Sequence, residues 1–128
     1  MKKLDTIFSQ YIRLRDTDEN GYGQCITCGK TFAYDELECG HFRHRRHQGT
    51  RWHEMNAHAQ CFTCNRGDDM VQYIVAILEK YKEKEVNKMI RLSMMVDKFT
   101  QAELNDTYAY YRRKAQELLK DKMFKVNL

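Results

Sequence analysis

Apolar residues recur at helical spacing near both ends of the chain. Over residues 4–15 they fall on one side of a helical wheel with polar residues opposite, which predicts an amphipathic first helix. Near the C-terminus, Thr100 followed by Glu103 is a capping-box signature that starts another helix. The apolar stripe of that helix is Leu104, Tyr108, Tyr111, Ala115 and Leu118. We expect this stripe to pack either on the first helix or on the same helix of a second copy.

Two shorter helices are predicted before the C-terminal one. After Cys64, Asp68 or Asp69 can cap a helix, because aspartate accepts hydrogen bonds from the first free N–H groups. The apolar stripe of this helix is Val71, Ile74, Ile77, Leu78 and Tyr81. Residues 84–96 have a similar stripe, formed by Val86, Met89, Ile90 and Met94.

The centre of the chain lacks helical periodicity. Residues 37–60 are rich in polar side chains, and we expect short strands near 38–43 and 57–60 with an irregular loop between them. The fold class is therefore α+β and mainly helical. A chain of 128 residues is long enough for one ordinary domain, spanning 1–128. We expect an N-terminal helix over 4–16, a central core over 22–68 and C-terminal helices over 69–122.

Composition and charge narrow the class of protein. The chain has 31% charged and 42% hydrophobic residues, which is a globular balance, and no apolar run approaches the roughly 20 residues of a membrane span. We therefore expect a cytoplasmic protein. The net charge is +4, and the segment from Cys39 to His53 contains no acidic residue. The arginines of this segment are Arg43, Arg45, Arg46 and Arg51, and guanidinium groups are well suited to bind phosphate groups of an anionic partner.

Four of the five cysteines form two C-x-x-C pairs. Cys25 and Cys28 make the first pair, and Cys61 and Cys64 make the second. Each pair can place two thiolates on one tetrahedral zinc ion, so the two pairs together predict a closed structural zinc site. The alternatives are four buried thiols or a redox dithiol, but the duplication and the glycine after Cys28 favour zinc.

The histidines are concentrated between the two cysteine pairs. They are His41, His44, His47, His53 and His58. A hydrolytic site needs imidazole groups as base or metal ligand, and a random surface distribution does not explain this concentration. We expect His44, His53 and His58 to be solvated or to support other site residues.

The pattern around these residues resembles the HNH, or ββα-metal, nuclease signature on a four-cysteine, treble-clef-like zinc frame. The matching parts are the Gly-His pair ending at His41 and the run N-A-H-A-Q-C-F-T-C-N-R-G-D starting at Asn56. Order and spacing are also similar to phage endonuclease VII, a junction-resolving enzyme. The sequence most resembles the NinG (Rap) family of lambdoid-phage recombination proteins, over roughly residues 4–80. The motifs shared with that family are L-D-T-I-F-S-Q-Y-I-R-L-R-D, C-I-T-C-G-K, E-C-G-H-F, R-R-H, T-R-W and A-Q-C-x-x-C-N.

The resemblance implies roles for individual residues. In the HNH pattern His41 is the general base, Asn56 orients the loop or the base, and Asn65 ligates a catalytic Mg²⁺ or Mn²⁺. The similarity to endonuclease VII adds Asp68 to the active site, and His47 is a further candidate. Many HNH sites have an aspartate directly before the base histidine, but this chain has Gly40 there. The second metal ligand therefore stays open among Asp68, His47, His44 and His41 itself.

The implied function is metal-dependent hydrolysis of branched DNA, such as D-loops and Holliday junctions, in phage recombination. Its partners would be DNA, a phage recombinase and a second copy of the chain, inside a bacterial host that carries the phage or a prophage. One alternative is a zinc-knuckle module that binds DNA or a recombination protein without cutting. Another is an HNH nickase that is indifferent to DNA structure.

Overall fold

Helices at both ends enclose two small antiparallel sheets in the computed structural model, which describes residues 1–67, 70–95 and 98–128. The helices are α1 (Lys2–Arg15), α2 (Gln48–Arg51), α3 (Phe62–Arg66), α4 (Met70–Lys80), α5 (Glu83–Ser93) and α6 (Gln101–Leu119). The strands are β1 (Tyr22–Gln24), β2 (Thr31–Ala33), β3 (Leu37–His41) and β4 (Ala57–Cys61). The predicted α+β class is confirmed. None of the described helices is long and apolar enough to cross a bilayer.

The first and last helices pack on each other. Phe8 of α1 meets Tyr111 of α6 edge to face, with ring centroids 4.8 Å apart. The α6 helix begins as predicted, because the Thr100 hydroxyl accepts from the Glu103 amide and the Glu103 carboxylate accepts from the Thr100 amide. Of the two partners expected for the α6 stripe, the structure has the first helix of the same chain.

The two central strands form a hairpin between α1 and α4. Their register runs from Leu37 opposite Cys61 to His41 opposite Ala57. Because side chains alternate along a strand, Ala57 joins the apolar cluster under α1, whereas His58 contacts Tyr73 of α4. Both strands were predicted, although the first one ends at His41. The β1–β2 hairpin was not predicted, because strands of three residues carry no readable alternation.

The buried faces of α4 and α5 differ from the predicted stripes. In α4, Tyr73 and Ile77 are buried, while the predicted core residues Val71 and Leu78 are 70% and 45% exposed. The predicted stripe is confirmed at Ile77 and wrong at Val71 and Leu78, because α4 is apolar on several sides and the position of the hairpin selects the buried one. The α5 stripe is confirmed at Val86 and Met89, but Met94 follows the end of the helix and is exposed. The predicted caps Asp68 and Asp69 lie outside the described residues.

Candidate metal centre and basic cleft

The two C-x-x-C pairs come together in space. Cys25 and Cys28 lie in the turn between β1 and β2, Cys61 ends β4, and Cys64 lies in α3. Their four sulfur atoms are all within 4.8 Å of one another. Thiolates around a tetrahedral zinc ion are about 3.8 Å apart, given a Zn–S bond of about 2.3 Å. The four cysteines can therefore hold a structural metal such as zinc.

The turn between the first two cysteines has the backbone of a metal knuckle. Its Gly29 adopts a φ of 74°, a left-handed conformation that side chains with a Cβ rarely tolerate. This lets the Gly29 amide donate to the Cys25 carbonyl at 2.9 Å, while the Cys25 amide donates to the Lys30 carbonyl at 2.9 Å. The Ile26 amide also donates to the Ala59 carbonyl at 2.9 Å, which fastens the knuckle to β4.

The electrostatics of the cluster favour one thiolate. Burial alone would raise the pKa of Cys25, but N–H groups of Cys28, Cys61 and Thr27 lower it to about 7. Burial and the neighbouring sulfurs raise the pKa of Cys64. Once one thiolate has formed, its negative charge raises the pKa of the neighbouring thiols. A bound divalent cation would lower those pKa values again, because its positive charge stabilises the thiolates.

A polar cleft of about 850 Å³ opens beside the end of β3. Several predicted site residues line it, namely His41, His44, His47, Arg43, Arg45, Arg46 and Asn65. Other residues in its wall include Asp5, Glu38 and Arg66. The fold thus brings most of the predicted residues to one surface. Asn56 and Arg51 do not line this cleft, and Asp68 lies outside the described residues.

His41 is held as a neutral imidazole at the end of β3. Its Nε2 atom lies 2.8 Å from the carbonyl oxygen of Arg51. A carbonyl can only accept, so Nε2 carries the proton and Nδ1 of the neutral ring keeps a free lone pair. Burial is the largest cause that lowers the pKa of His41, and the nearby Arg45 charge adds to it. The residue therefore stays neutral to lower pH than an exposed histidine, as a general base requires.

Asn56 fixes the loop between β3 and β4 from inside. It is fully buried, and its Oδ1 accepts from the Arg43 amide at 2.7 Å. Its Nδ2 donates to the carbonyl oxygens of Arg43 at 3.1 Å and of Thr50 at 3.0 Å. All three bonds go to loop backbone, so the side chain shapes the wall of the cleft. A catalytic role for Asn56 stays a prediction.

Asn65 is hydrogen-bonded to Glu38, an acid for which the sequence predicted no role. Its Nδ2 donates to Oε1 of Glu38 at 2.8 Å, and Arg66 approaches the other oxygen at 3.2 Å. The Asn65 hydrogen bond is the first cause that lowers the pKa of Glu38, so this side chain is a carboxylate. One signal could have revealed it, since Glu38 immediately precedes the acid-free segment that begins at Cys39.

Gly40 cannot simply be replaced by the aspartate found in many HNH sites. A Cβ atom built on Gly40 would lie 1.7 Å from Oε1 of Gln60. The Gln60 side chain is itself held in place, because its Nε2 donates to the Thr27 hydroxyl at 2.7 Å. A side chain at position 40 would therefore require Gln60 to move and to give up its bond to Thr27.

His58 belongs to the core. It is 1% exposed, and its ring nitrogens lie 3.3 Å from the Tyr73 hydroxyl and 2.8 Å from the Tyr81 hydroxyl. Tyr73 in turn donates to the Gly40 carbonyl at 2.6 Å, next to His41. Burial lowers the pKa of His58 to about 3. The expectation of a solvated position is wrong here, but a supporting position beneath the cleft fits.

The other two supporting histidines bond to their own loop. Nδ1 of the exposed His44 accepts from the Arg46 amide at 3.0 Å. Nδ1 of His53 accepts from the Met55 amide at 3.2 Å. His53 does not line the cleft, whereas His44 does.

The four predicted phosphate-binding arginines differ in their surroundings. Arg51 pairs with Asp5 through two hydrogen bonds, one of them 3.0 Å long, so part of its charge is already matched. Arg43 donates to the Ser93 hydroxyl at 2.8 Å. Arg45 has a side chain that is 57% exposed and lies 3.8 Å from Asp5. Contact with DNA stays a prediction for all four.

The described residues thus define an α+β protein in which four cysteines can hold a metal ion next to a basic cleft. A family model described as Bacteriophage Lambda NinG protein matches residues 1–121. The chain belongs to the NinG family. This confirms the family resemblance and extends it from about residue 80 through α6. Comparisons with curated proteins and with solved structures give no significant match.

Proposed function

We propose that this protein is a structure-directed DNA endonuclease that hydrolyses phosphodiester bonds in branched recombination intermediates. The observation that carries the proposal is a neutral, half-buried His41 in the same cleft as an Asn65–Glu38 pair and several arginines. The antiparallel hairpin that precedes α3 and α4 also supports a ββα-metal core, because it supplies the base from a strand and the amide from a helix.

In the proposed mechanism, His41 accepts a proton from the attacking water at Nδ1. Its Nε2–H remains bonded to the Arg51 carbonyl, which keeps the ring oriented during the transfer. Arg43 and Arg45 bind the phosphate that is attacked and oppose the negative charge that develops on it. The proton lost by water is thus taken up by His41, the P–O bond to the departing oxygen breaks, and that oxygen takes a proton from solvent water to become the hydroxyl of the new strand end; His41 then returns its proton to solvent.

Residues of the cleft also fit a hard divalent cation. The Asn65 amide oxygen and the Glu38 carboxylate are the kinds of donor that Mg²⁺ and Mn²⁺ prefer. Such an ion, when bound, supplies positive charge beside the scissile phosphate. Glu38 is a further ligand candidate beside His44, His47, Asp68 and His41 itself. The four cysteines would hold zinc as a structural element.

We base three parts of this proposal on the NinG resemblance. They are the selectivity for branched DNA, the recombinase partner and the bacterial host. Membership of a phage family supports the setting. The arginine-rich cleft supports binding through phosphates, which is insensitive to base sequence. Symmetric cutting of two strands would favour two copies related by a two-fold axis.

The test is cleavage of three labelled DNAs by the zinc-loaded full-length protein. A Holliday junction, a D-loop and a linear duplex are incubated with and without added magnesium, and His41→Ala is the matched inactive control. We expect magnesium-dependent cutting of the branched DNAs by the parent only. Equal cutting of the linear duplex would instead support the structure-indifferent nickase. Cutting by the His41 variant at the parental rate would exclude the assigned base.

A module that binds without cutting is the second candidate function. One observation favours it: both carboxylate oxygens of Glu38 are already engaged, by Asn65 and by Arg66. If that network persisted in solution, the oxygens would be poor ligands for a cation. Tight binding to junction DNA with no cutting in magnesium or manganese would support this candidate.

A further inference from the structure

We propose that a groove along α1, next to the cleft, is a second phosphate-binding site that takes the DNA backbone beyond the scissile position. This rests on the proposed DNA-binding function but does not require cutting. The groove has a volume of about 490 Å³. Its lining residues are Lys2, Asp5, Thr6, Ser9, Arg13, Arg45 and Arg51.

The groove is strongly positive. Four of its lining side chains are cations and one is an acid. That acid, Asp5, accepts hydrogen bonds from Arg51 and from the indole N–H of Trp52 at 3.0 Å. Because Asp5 is matched by Arg51, it gives little repulsion toward an anion. The charges of Lys2 and Arg13 remain available for a ligand, while Arg45 lies 3.8 Å from Asp5 and is shared with the cleft.

Arg13 is held in place before any ligand binds. Its Nε donates to the hydroxyl of Ser9 at 3.2 Å, and its guanidinium lies 4.5 Å from the ring centroid of Tyr34. Within the described part of the chain, its two Nη atoms have no recorded hydrogen bond. A guanidinium with an oriented plane and free donors suits a phosphate oxygen, because little conformational entropy is lost on binding.

The groove continues the cleft. Asp5, Ser9 and Arg45 line both, so a polymer leaving the cleft can enter the groove directly. Lys2 and Arg13 are about 16 Å apart along the axis of α1 at 1.5 Å per residue, and one DNA strand presents a phosphate about every 3.4 Å along the duplex. The groove is therefore long enough for several consecutive phosphates. Continuity with the proposed DNA-binding cleft favours nucleic acid as the occupant.

The experiment compares two charge-matched double variants of the full-length, zinc-loaded protein. Lys2→Gln with Arg13→Gln alters the groove, and Lys84→Gln with Lys120→Gln removes two exposed charges that do not line it. Binding to a fluorescent duplex is measured without magnesium at several salt concentrations. We expect the groove variant to bind about tenfold more weakly and its salt slope to fall by about 2, with little change in the control.

Three outcomes would overturn the proposal. Equal weakening by both variants would mean that only the overall field matters. Unchanged binding by the groove variant would also exclude the site, and so would competition by polyglutamate as strong as that by DNA. The single variant Lys2→Gln, at an exposed position, keeps the test valid if loss of Arg13 disturbs the Tyr34 contact. Cleavage by the parent protein is measured separately. If the groove variant binds DNA more weakly but the parent cuts no DNA, the proposed cutting reaction is refuted and the proposed phosphate-binding groove is supported.

Discussion

The amide nitrogen of Asn65 donates to Oε1 of Glu38 at 2.8 Å and thereby ties α3 to β3 at the edge of the cleft. The two residues are 27 positions apart in sequence. Because the nitrogen is used in this bond, the amide oxygen of Asn65 is turned to a different side. The bond therefore sets the orientation of the donor that a divalent cation would use.

Substitution of Glu38 should weaken cation binding in the cleft. Glu38→Ala removes a carboxylate and frees the Asn65 amide, so we expect the affinity for Mn²⁺ to fall by about tenfold to a hundredfold. Glu38→Gln keeps an acceptor for Asn65 and should have the smaller effect. Paramagnetic resonance of free Mn²⁺ measures the affinity, and Asp35→Ala changes an exposed acid as control. Unaltered Mn²⁺ binding by Glu38→Ala would remove this residue from the site.

Cleavage should depend on a neutral His41. We expect His41→Ala to lower the single-turnover rate by about a hundredfold or more, with DNA binding and thermal stability retained. His53→Ala, outside the cleft, is the matched histidine control. Because burial lowers the pKa of His41, the parental rate should persist below the ordinary histidine pKa of about 6.5 and fall only at lower pH. A rate that halves near the ordinary value would contradict the burial argument.

His58 should make the fold sensitive to acid. Its pKa is about 3 in the folded chain, against about 6.5 when unfolded, so only the unfolded state takes up a proton between these values. The neutral, buried His58 therefore stabilises the fold fully above the unfolded-state pKa of about 6.5. This stabilisation is lost as the pH falls toward the folded-state pKa of about 3. From about pH 6.5 to about pH 5 the loss is about 1.5 kcal/mol.

Replacing His58 by glutamine tests this link. Glutamine does not titrate, so the free energy of unfolding of His58→Gln should change less over the same pH interval. Urea unfolding at both pH values gives the difference, and comparison with the parent cancels protonation of the other groups. An equal pH dependence in parent and variant would show that His58 is not the group responsible.

Loss of one clustered cysteine should abolish metal binding. Cys61→Ala leaves three thiols, so we expect zinc to be released and the β1–β2 and β3–β4 hairpins to lose their connection. Cys39→Ala is the matched control, because Cys39 lies outside the cluster and burial raises its pKa to about 12. Zinc content per chain and thermal unfolding are the measurements. A Cys61 variant with full zinc content would refute the four-cysteine site.

Local signals were sufficient to predict α1, the capped start of α6, the paired central strands and the cysteine cluster. The capping box needs only Thr100 and Glu103, and the metal knuckle needs two close cysteines and a glycine. In contrast, the buried side of α4 depends on where the hairpin lies, so Tyr73 could not be preferred over Val71 from periodicity alone. Glu38 was missed for the same reason, since its partner Asn65 is distant in sequence. The catalytic and DNA-binding roles of the cleft residues depend on a bound cation or on DNA, so neither the sequence pattern nor the fold alone assigns them.

The close packing of Gly40 and Gln60 restricts the order in which substitutions can accumulate. An acid introduced at position 40 alone would collide with the glutamine, whose Oε1 lies 1.7 Å from the required Cβ. Either the Gln60 side chain turns away or a shorter residue replaces it, and both changes give up the bond to Thr27. The effects of substitutions at positions 40 and 60 on stability should therefore be coupled, so that a change at one position is tolerated better once the other has changed.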